Sequence, residues 1–275
     1  MKKLNTFQKF IFIFSITTFI YSCTSDNSEI KESNNITFSK ENIIQIGKMH
    51  NEYLSKAYEN FDYNSKTKYV DLKNNLLSIE IPELTYEEKE KAIEFGLTIN
   101  SKNQKGGLNK SSNDIESLKE SLESQLAKDI VDLAYNNLNV LENHTEFSNE
   151  LVGLKKSASI NLENTDLVSV LSFLEVLEQS SLFWKPIELG GSGEGYSILL
   201  NIQNQDQAAK GVSPCTKAVV AADGTGAATA LLSAGIGGWI AGALNPGAMA
   251  AAVGIAAAAA SITASQTHYA CQDKK

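Results

Sequence analysis

The feature that most constrains the fold is a long stretch without formal charge. No Asp, Glu, Lys or Arg occurs between Asp223 and Asp273, a run of 49 residues. Asn245-Pro246-Gly247 divides this run, and such a sequence is a strong turn signal. The two halves, 224–244 and 248–267, each have about 20 residues, the length of a helix that crosses a bilayer. The pattern therefore predicts an apolar helical hairpin.

Small residues recur every four positions in both halves of the hairpin. Such ridges let two helices approach closely, which is the packing logic of the Gly-x-x-x-Gly motif. Large apolar side chains are few, so the free energy of insertion into a bilayer is marginal. The hairpin is therefore suited either to a membrane or to packing against protein. The residues expected at the close helix contacts are Ala230, Ala234, Gly238, Gly242, Ala252, Ala256 and Ala260.

Over residues 217–271, this stretch resembles the Gly/Ala-rich, glycine-zipper-like hairpins of class II bacteriocins and of C-terminal tails on secreted Bacteroidetes proteins. The resemblance rests on composition and on the spacing of the small residues. It implies a membrane-active or self-associating module, and it carries over no catalytic residue.

Two cysteines, Cys215 and Cys271, flank the hairpin at similar distances from its turn. Two antiparallel arms of similar length bring their ends together, within the Cα separation of about 4.4–6.8 Å that a disulfide requires. An exported protein favours this pairing. The alternatives are two free thiols, or a metal site that also uses His268. We predict the Cys215–Cys271 disulfide and no metal.

The N-terminal segment has the pattern of an export signal. A basic start is followed by an apolar run over residues 10–20, about half the length needed to span a bilayer. The run ends in Ile20-Tyr21-Ser22-Cys23, which resembles the lipobox of type II bacterial signal peptides. The resemblance implies a lipoprotein. Residues 1–22 would be removed, and the chain would be bound to the lipid bilayer through an N-acyl diacylglyceryl group, such as palmitate, on Cys23. Because Thr24 rather than Asp follows, the resemblance also implies delivery to the outer membrane.

The rest of the chain predicts an all-α fold, a helical bundle followed by the hairpin. Residues 24–35 have almost no apolar side chains, and a flexible tether is predicted at 23–38. Helical periodicity and capping signals extend over a helical domain at 39–185. A Gly-rich linker is expected at 186–211 and the Gly/Ala-rich hairpin at 212–275.

Three capping or periodicity signals within the body give specific expectations. Thr85 and Glu88 fit a capping box. One long helix is expected over about residues 112–143, because apolar residues keep a helical spacing throughout. Thr165-Asp166 is expected to cap the most apolar helix of the body.

Signals for chemistry are weak in this sequence. The chain has no Arg and a formal net charge of −8, which disfavours nucleic acid. The segment Gly190–Gly195 lacks the Lys-Ser/Thr pair of a phosphate-binding loop. His50 and His144 lie in polar surroundings and are expected at or near the surface, while clustered glutamates share helices with lysines in the pattern of solvated faces. We therefore predict no enzyme, no cofactor and no metal site.

The sequence supports two functions of different class. In the first, the chain is a membrane-anchored envelope lipoprotein whose hairpin is membrane-active or associates with itself or with another envelope protein. In the alternative, it is a non-enzymatic binding or scaffold lipoprotein whose hairpin is only part of the helical core.

Overall fold

The computed structural model describes residues 39–59, 69–101, 111–202, 212–233, 246–267 and 271. Within those residues there are ten α-helices and no strand, which confirms the all-α prediction. The predicted signal peptide (1–22) and tether (23–38, including Cys23) lie outside the described residues. The same is true of Ala234, Gly238 and Gly242.

The helices are numbered here in chain order. A short 3₁₀ turn, Ile187–Leu189, lies between α7 and α8. The helices are α1 (Lys40–Glu59), α2 (Tyr69–Ser78), α3 (Tyr86–Ser101), α4 (Ser111–Ser121), α5 (Gln125–Val140), α6 (His144–Asn161), α7 (Asn164–Trp184), α8 (Glu194–Ile202), α9 (Pro214–Ser233) and α10 (Pro246–Thr267).

Polar side chains satisfy the free backbone N–H groups at several helix starts. The predicted capping box before α3 is confirmed: the Thr85 N–H donates to Glu88 Oε2 at 2.9 Å, and the Glu88 N–H donates to Thr85 Oγ1 at 3.3 Å. At the start of α6, Asn143 Oδ1 accepts from the N–H of Thr145 at 2.8 Å and of Glu146 at 3.3 Å.

The prediction of one long helix over 112–143 is wrong, because a short non-helical turn separates α4 from α5. The Asp166 carboxylate accepts hydrogen bonds from the backbone N–H groups of Glu123 (3.1 Å) and Ser124 (2.7 Å). Asp166 therefore serves the turn before α5, not its own helix. Leu122 lies in this turn and is buried, so the spacing of the buried apolar residues continues from α4 into α5.

The segment predicted as a Gly-rich linker contains α8 and the 3₁₀ turn. Gly190 and Gly193 have φ values of +80° and +79°, in the region that favours glycine. At Gly191 a Cβ atom would lie 2.0 Å from the Lys185 carbonyl oxygen, so this turn requires glycine for its close approach.

Four helices form a ring, in which α1 packs on α7, α7 on α9, α9 on α10, and α10 on α1. The other helices cover this ring from outside. α3 lies against α10, α4 against α9, and α5 and α6 against α7. The two helices of the predicted hairpin are therefore neighbours in a core that they share with the body.

Candidate functional site

The hairpin helix α10 is enclosed by protein. Every residue from Ala248 to Ser265 is buried, and the alanines from Ala256 to Ala260 are fully inaccessible. Two described helices, α7 and α10, are long and apolar enough to cross a bilayer, a test that the core helix of a soluble protein also passes. In this structure α10 has protein on all of its faces.

Glycines bring the backbones of neighbouring helices close to α10. A Cβ atom on Gly96 of α3 would lie 2.2 Å from the Ala256 carbonyl oxygen. A Cβ atom on Gly254 of α10 would lie 2.8 Å from the Ile46 carbonyl oxygen of α1. The small residues therefore act at contacts between α10 and the body as well as within the hairpin.

Four of the residues predicted at helix contacts lie in the core: Ala230, Ala252, Ala256 and Ala260. A Cβ atom on Gly226 of α9 would lie 3.0 Å from the Ala260 Cβ atom. α9 and α10 therefore meet along small side chains in this part of the hairpin.

A disulfide joins Cys215 to Cys271 at the base of the hairpin, with Cα atoms 4.7 Å apart. Both cysteines are buried. Nearby on α9, Lys217 Nζ donates to the Asn139 carbonyl oxygen at 2.5 Å. The disulfide therefore joins the two ends of the hairpin to each other, and the Lys217 hydrogen bond joins them to the end of α5.

A polar cluster lies inside the four-helix ring, centred on Asp223 of α9. The Asp223 carboxylate accepts hydrogen bonds from the Ser180 hydroxyl and, at 3.1 Å, from Trp184 Nε1, both on α7. His50 Nε2 of α1 lies 3.2 Å from Asp223 Oδ2. All four of these residues are fully buried. A charge-bearing group thus connects α1, α7 and α9 within a predominantly apolar core.

Not every polar atom of this cluster has a hydrogen-bond partner. Asp223 Oδ1 has none, and the contact of His50 Nε2 with the carboxylate lacks hydrogen-bond alignment. On the other side of the imidazole ring, Nδ1 lies 2.9 Å from Asn51 Oδ1, and Asn51 Nδ2 donates to the Gln179 carbonyl oxygen at 2.9 Å.

A second polar cluster joins α6 to α7 and lies nearer the surface. Lys155 Nζ binds Glu178 at 2.5 Å and also binds Glu175, while the Ser148 hydroxyl donates to Glu178. Burial alone would raise the pKa of the Glu178 carboxyl, but the hydrogen bonds from Lys155 and Ser148 outweigh it and lower that pKa. This cluster is a set of satisfied ion pairs.

Lys185 occupies a buried site at the C-terminal end of α7. Its Nζ donates to the Leu141 carbonyl oxygen at 3.1 Å and lies 5.1 Å from the centre of the Phe147 ring. Burial, and to a lesser degree the positive charge of Lys217, lowers the pKa of Lys185 to about 8.

One Ser–His pair lies beside this lysine. His144 Nδ1 is 3.2 Å from Ser181 Oγ, and burial followed by the charge of Lys185 lowers the pKa of His144. Because the Ser181 side chain is fully buried, its hydroxyl is out of reach of a substrate in this structure.

Sequence reasoning missed the Asp223 cluster. His50 was expected at or near the surface and is fully buried. A signal was present, since His50 continues the helical spacing of Ile46 and Tyr53, both of which are buried. Asp223 had one signal as well: it is the last charged residue before the uncharged run and has apolar residues on its N-terminal side.

Among the described residues, no group of three or more His, Cys, Asp or Glu side chains is placed to hold a metal ion. His268, the third ligand of the alternative metal site, lies outside them. No protein-family model, curated protein or solved structure matches this chain.

Proposed function

We propose that this chain is a non-enzymatic binding or scaffold lipoprotein of the cell envelope, anchored to the outer membrane through an acylated Cys23. In this proposal the hairpin is the structural core of the body. The observation that carries it is the enclosure of α10, whose residues from Ala248 to Ser265 are all buried against protein. A helix that is enclosed on every face presents nothing to a bilayer.

The anchor and the core make separate contributions in this proposal. Two or three acyl chains on one cysteine hold a protein at a membrane durably, at about 0.8 kcal/mol for each buried CH₂ group. The hairpin is then not needed for attachment. Replacing the acceptor cysteine should therefore release the protein from the membrane fraction.

The test uses the full chain in its native membrane and a photoactivatable label carried on the lipid acyl chains. We expect no label within 246–267, and we expect the Cys23→Ser chain to be recovered in the soluble fraction. Labelling of α10 in the wild-type chain would overturn the proposal that the hairpin is part of the protein core. Membrane retention of the Cys23→Ser chain would overturn the lipid anchor.

A second function is favoured by the composition of the hairpin, in which the run of 49 uncharged residues begins immediately after Asp223. In this reading the hairpin is membrane-active or self-associating, and the enclosed form is its closed state. Much of its attachment to the body is through small apolar side chains, which contribute little hydrophobic free energy each.

Leakage of dye from liposomes separates the two functions. The purified full chain, with the disulfide intact, should leave vesicles of mixed zwitterionic and anionic lipid sealed if the hairpin is only core. Leakage that increases with protein concentration, and that is lost when 246–267 is deleted, would establish the membrane-active function instead.

A further inference from the structure

Gly153 of α6 differs from the glycines that lie at helix contacts. At Gly153 a Cβ atom would meet nothing within 4 Å, and the residue is exposed. Glycine lowers helix propensity by about 1 kcal/mol relative to alanine, and no contact within the described chain uses the space that Gly153 leaves. That space admits the backbone of another helix. At six other helical glycines such a Cβ atom would lie 3.0 Å or less from a neighbouring helix: Gly47, Gly96, Gly195, Gly224, Gly226 and Gly254.

The exposed side of α6 around this glycine is called here the outer face of α6. Its members are three or four positions apart and therefore share one side of the helix, and all are exposed: Asn149, Gly153, Lys156 and Ile160. The opposite side is buried, with Phe147, Leu151 and Ala158. Ile160 is 69% exposed, so the outer face presents a large apolar group one helical repeat beyond the glycine.

Exposed apolar side chains are concentrated in this part of the molecule. Among the described residues, five of the seven exposed large apolar side chains lie on α5 and α6, which pack against each other: Leu126, Leu133, Val140, Val152 and Ile160. The three on α5 are seven residues apart, so they share one side of that helix. Single exposed apolar side chains are ordinary, but a concentration on two adjacent helices is typical of a protein contact.

The charges of α6 indicate which protein fits this surface. Glu150 and Lys156 are exposed, and neither has an ion-pair partner in the described part of the chain. They lie three residues before and three after Gly153, too far apart to pair along one helix. Where two copies of α6 cross antiparallel at Gly153, the Glu150 of each copy lies level with the Lys156 of the other. A parallel crossing would place like charges level instead.

We propose that the chain forms a two-fold symmetric dimer, in which the outer faces of two α6 helices cross antiparallel at Gly153. A two-fold axis brings the same surface of both copies together, which requires that surface to complement itself. The exposed apolar side chains of α5 enlarge the contact. A single helix crossing buries less than the roughly 1,200–2,000 Å² of a standard interface, so the dimer dissociates on dilution. The proposal holds for either function of the hairpin.

The first test uses the full chain in its native membrane, with a photo-crosslinking amino acid in place of Asn149. We expect a product of twice the chain mass in which both crosslinked peptides come from α6. The same crosslinker in place of Glu120, on the exposed side of α4, should give no such product. A product with a different protein, or no product at Asn149, would overturn the proposal.

The second test measures the dimer association constant of the purified full chain by sedimentation in neutral detergent. Glu150→Lys and Lys156→Glu each remove two symmetry-related ion pairs, so each should lower that constant about two- to thirtyfold. The double variant exchanges the two charges and should restore it. Glu120→Lys makes the same change in net charge on α4 and should have no effect.

Circular dichroism confirms that each of these variants is folded, which the exposure of both side chains favours. Gly153→Gln adds a side chain that has room in the single chain but not in the crossing, so it should remain folded and lose the dimer. A double variant no better than the single ones would overturn the antiparallel pairing. A dimer unaffected by Gly153→Gln would overturn the crossing at Gly153.

Discussion

At the residue scale, glycine positions decide how closely the helices approach one another. Gly96 and Gly153 both lie within helices and both lower helix propensity relative to alanine. Their surroundings differ. A Cβ atom on Gly96 would lie 2.2 Å from a backbone oxygen of α10, whereas one on Gly153 meets nothing within 4 Å. The same substitution should therefore have opposite effects at the two sites.

We expect Gly96→Ala to lower the free energy of unfolding by about 1–3 kcal/mol, because α3 and α10 must move apart to admit the methyl group. Gly153→Ala, the matched control, should raise it by about 0.5–1 kcal/mol through helix propensity. Urea denaturation measures both. A stabilising Gly96→Ala would mean that α3 does not pack on α10 as described.

Lys185 gives a second prediction at this scale, in the alkaline range. Its pKa of about 8 lies below the ordinary lysine value of about 10.4, so between these pH values the folded chain binds fewer protons than the unfolded chain. Its contribution to stability therefore rises with pH across that window. Relative to Lys185→Met, the wild type should gain up to about 1.4 kcal/mol per pH unit from pH 8 to 10. A pH-independent difference between the two chains would contradict this.

At the element scale, α10 shows which structural features the sequence could predict. The two apolar helices of the hairpin, the disulfide and the capping box at Thr85 follow from local spacing, and the structure has them. The first of these helices begins at Pro214 rather than at the predicted 224, and residues 234–245 lie outside the described residues. The enclosure of α10 could not be predicted. An alanine-rich helix has no polar face, so its pattern fits a bilayer and a protein core equally well. Its burial depends on which helices surround it, and that is set by contacts far apart in the chain.

The candidate site was harder to predict for the same reason. His50 lies at helical spacing from buried neighbours, so its burial could have been predicted from the sequence. Its contact with Asp223 could not, because nothing local to either residue indicates the other. The break before α5 also depends on a distant group, the Asp166 carboxylate. Long-range polar contacts have no periodic signature.

Enlarging a core alanine distinguishes a packed α10 from an inserted one. Ala258 is fully inaccessible, so Ala258→Leu should lower the free energy of unfolding by about 1–3 kcal/mol through overpacking. In a bilayer, the same change would favour insertion by a few tenths of a kcal/mol. Ser159→Leu, on the exposed side of α6, is the control and should have little effect. Unchanged stability of Ala258→Leu would argue against the enclosed helix.

The disulfide should contribute strongly to the stability of this hairpin. Joining Cys215 to Cys271 restricts the unfolded chain by about 4 kcal/mol in the loop-entropy model. The double variant Cys215→Ser, Cys271→Ser should lose stability of that order in thermal unfolding. Mass spectrometry of the non-reduced wild type should find neither thiol open to alkylation, and two alkylated thiols would contradict the disulfide.

At the scale of the whole molecule, the described helices belong to one compact unit, Ile36–Lys275. The body and the hairpin each supply half of the same ring, since the adjacent helices α1 and α7 come from one and α9 and α10 from the other. The buried apolar residues of both parts belong to one continuous core. The whole should therefore unfold in a single transition, and the body should not survive without the hairpin.

A chain that stops after residue 211 tests this directly. We expect it to lose its cooperative thermal transition and its near-ultraviolet circular dichroism, because the inner faces of α1, α3 and α7 would be exposed to water. The full-length chain, treated in the same way, is the reference. A cooperative transition in the shortened chain would show that the body folds alone and that the hairpin is an addition to it.

The position of α10 also sets the order of events when the chain is made. The ring helix α10 is the last of the described helices to be synthesised, and its neighbour in the ring, α1, is the first. The ring therefore cannot close during synthesis. Contacts between segments so far apart in sequence form slowly. In the proposed export route, the body would still be open when the chain crosses the membrane, and it would close only after its final helix has arrived on the far side.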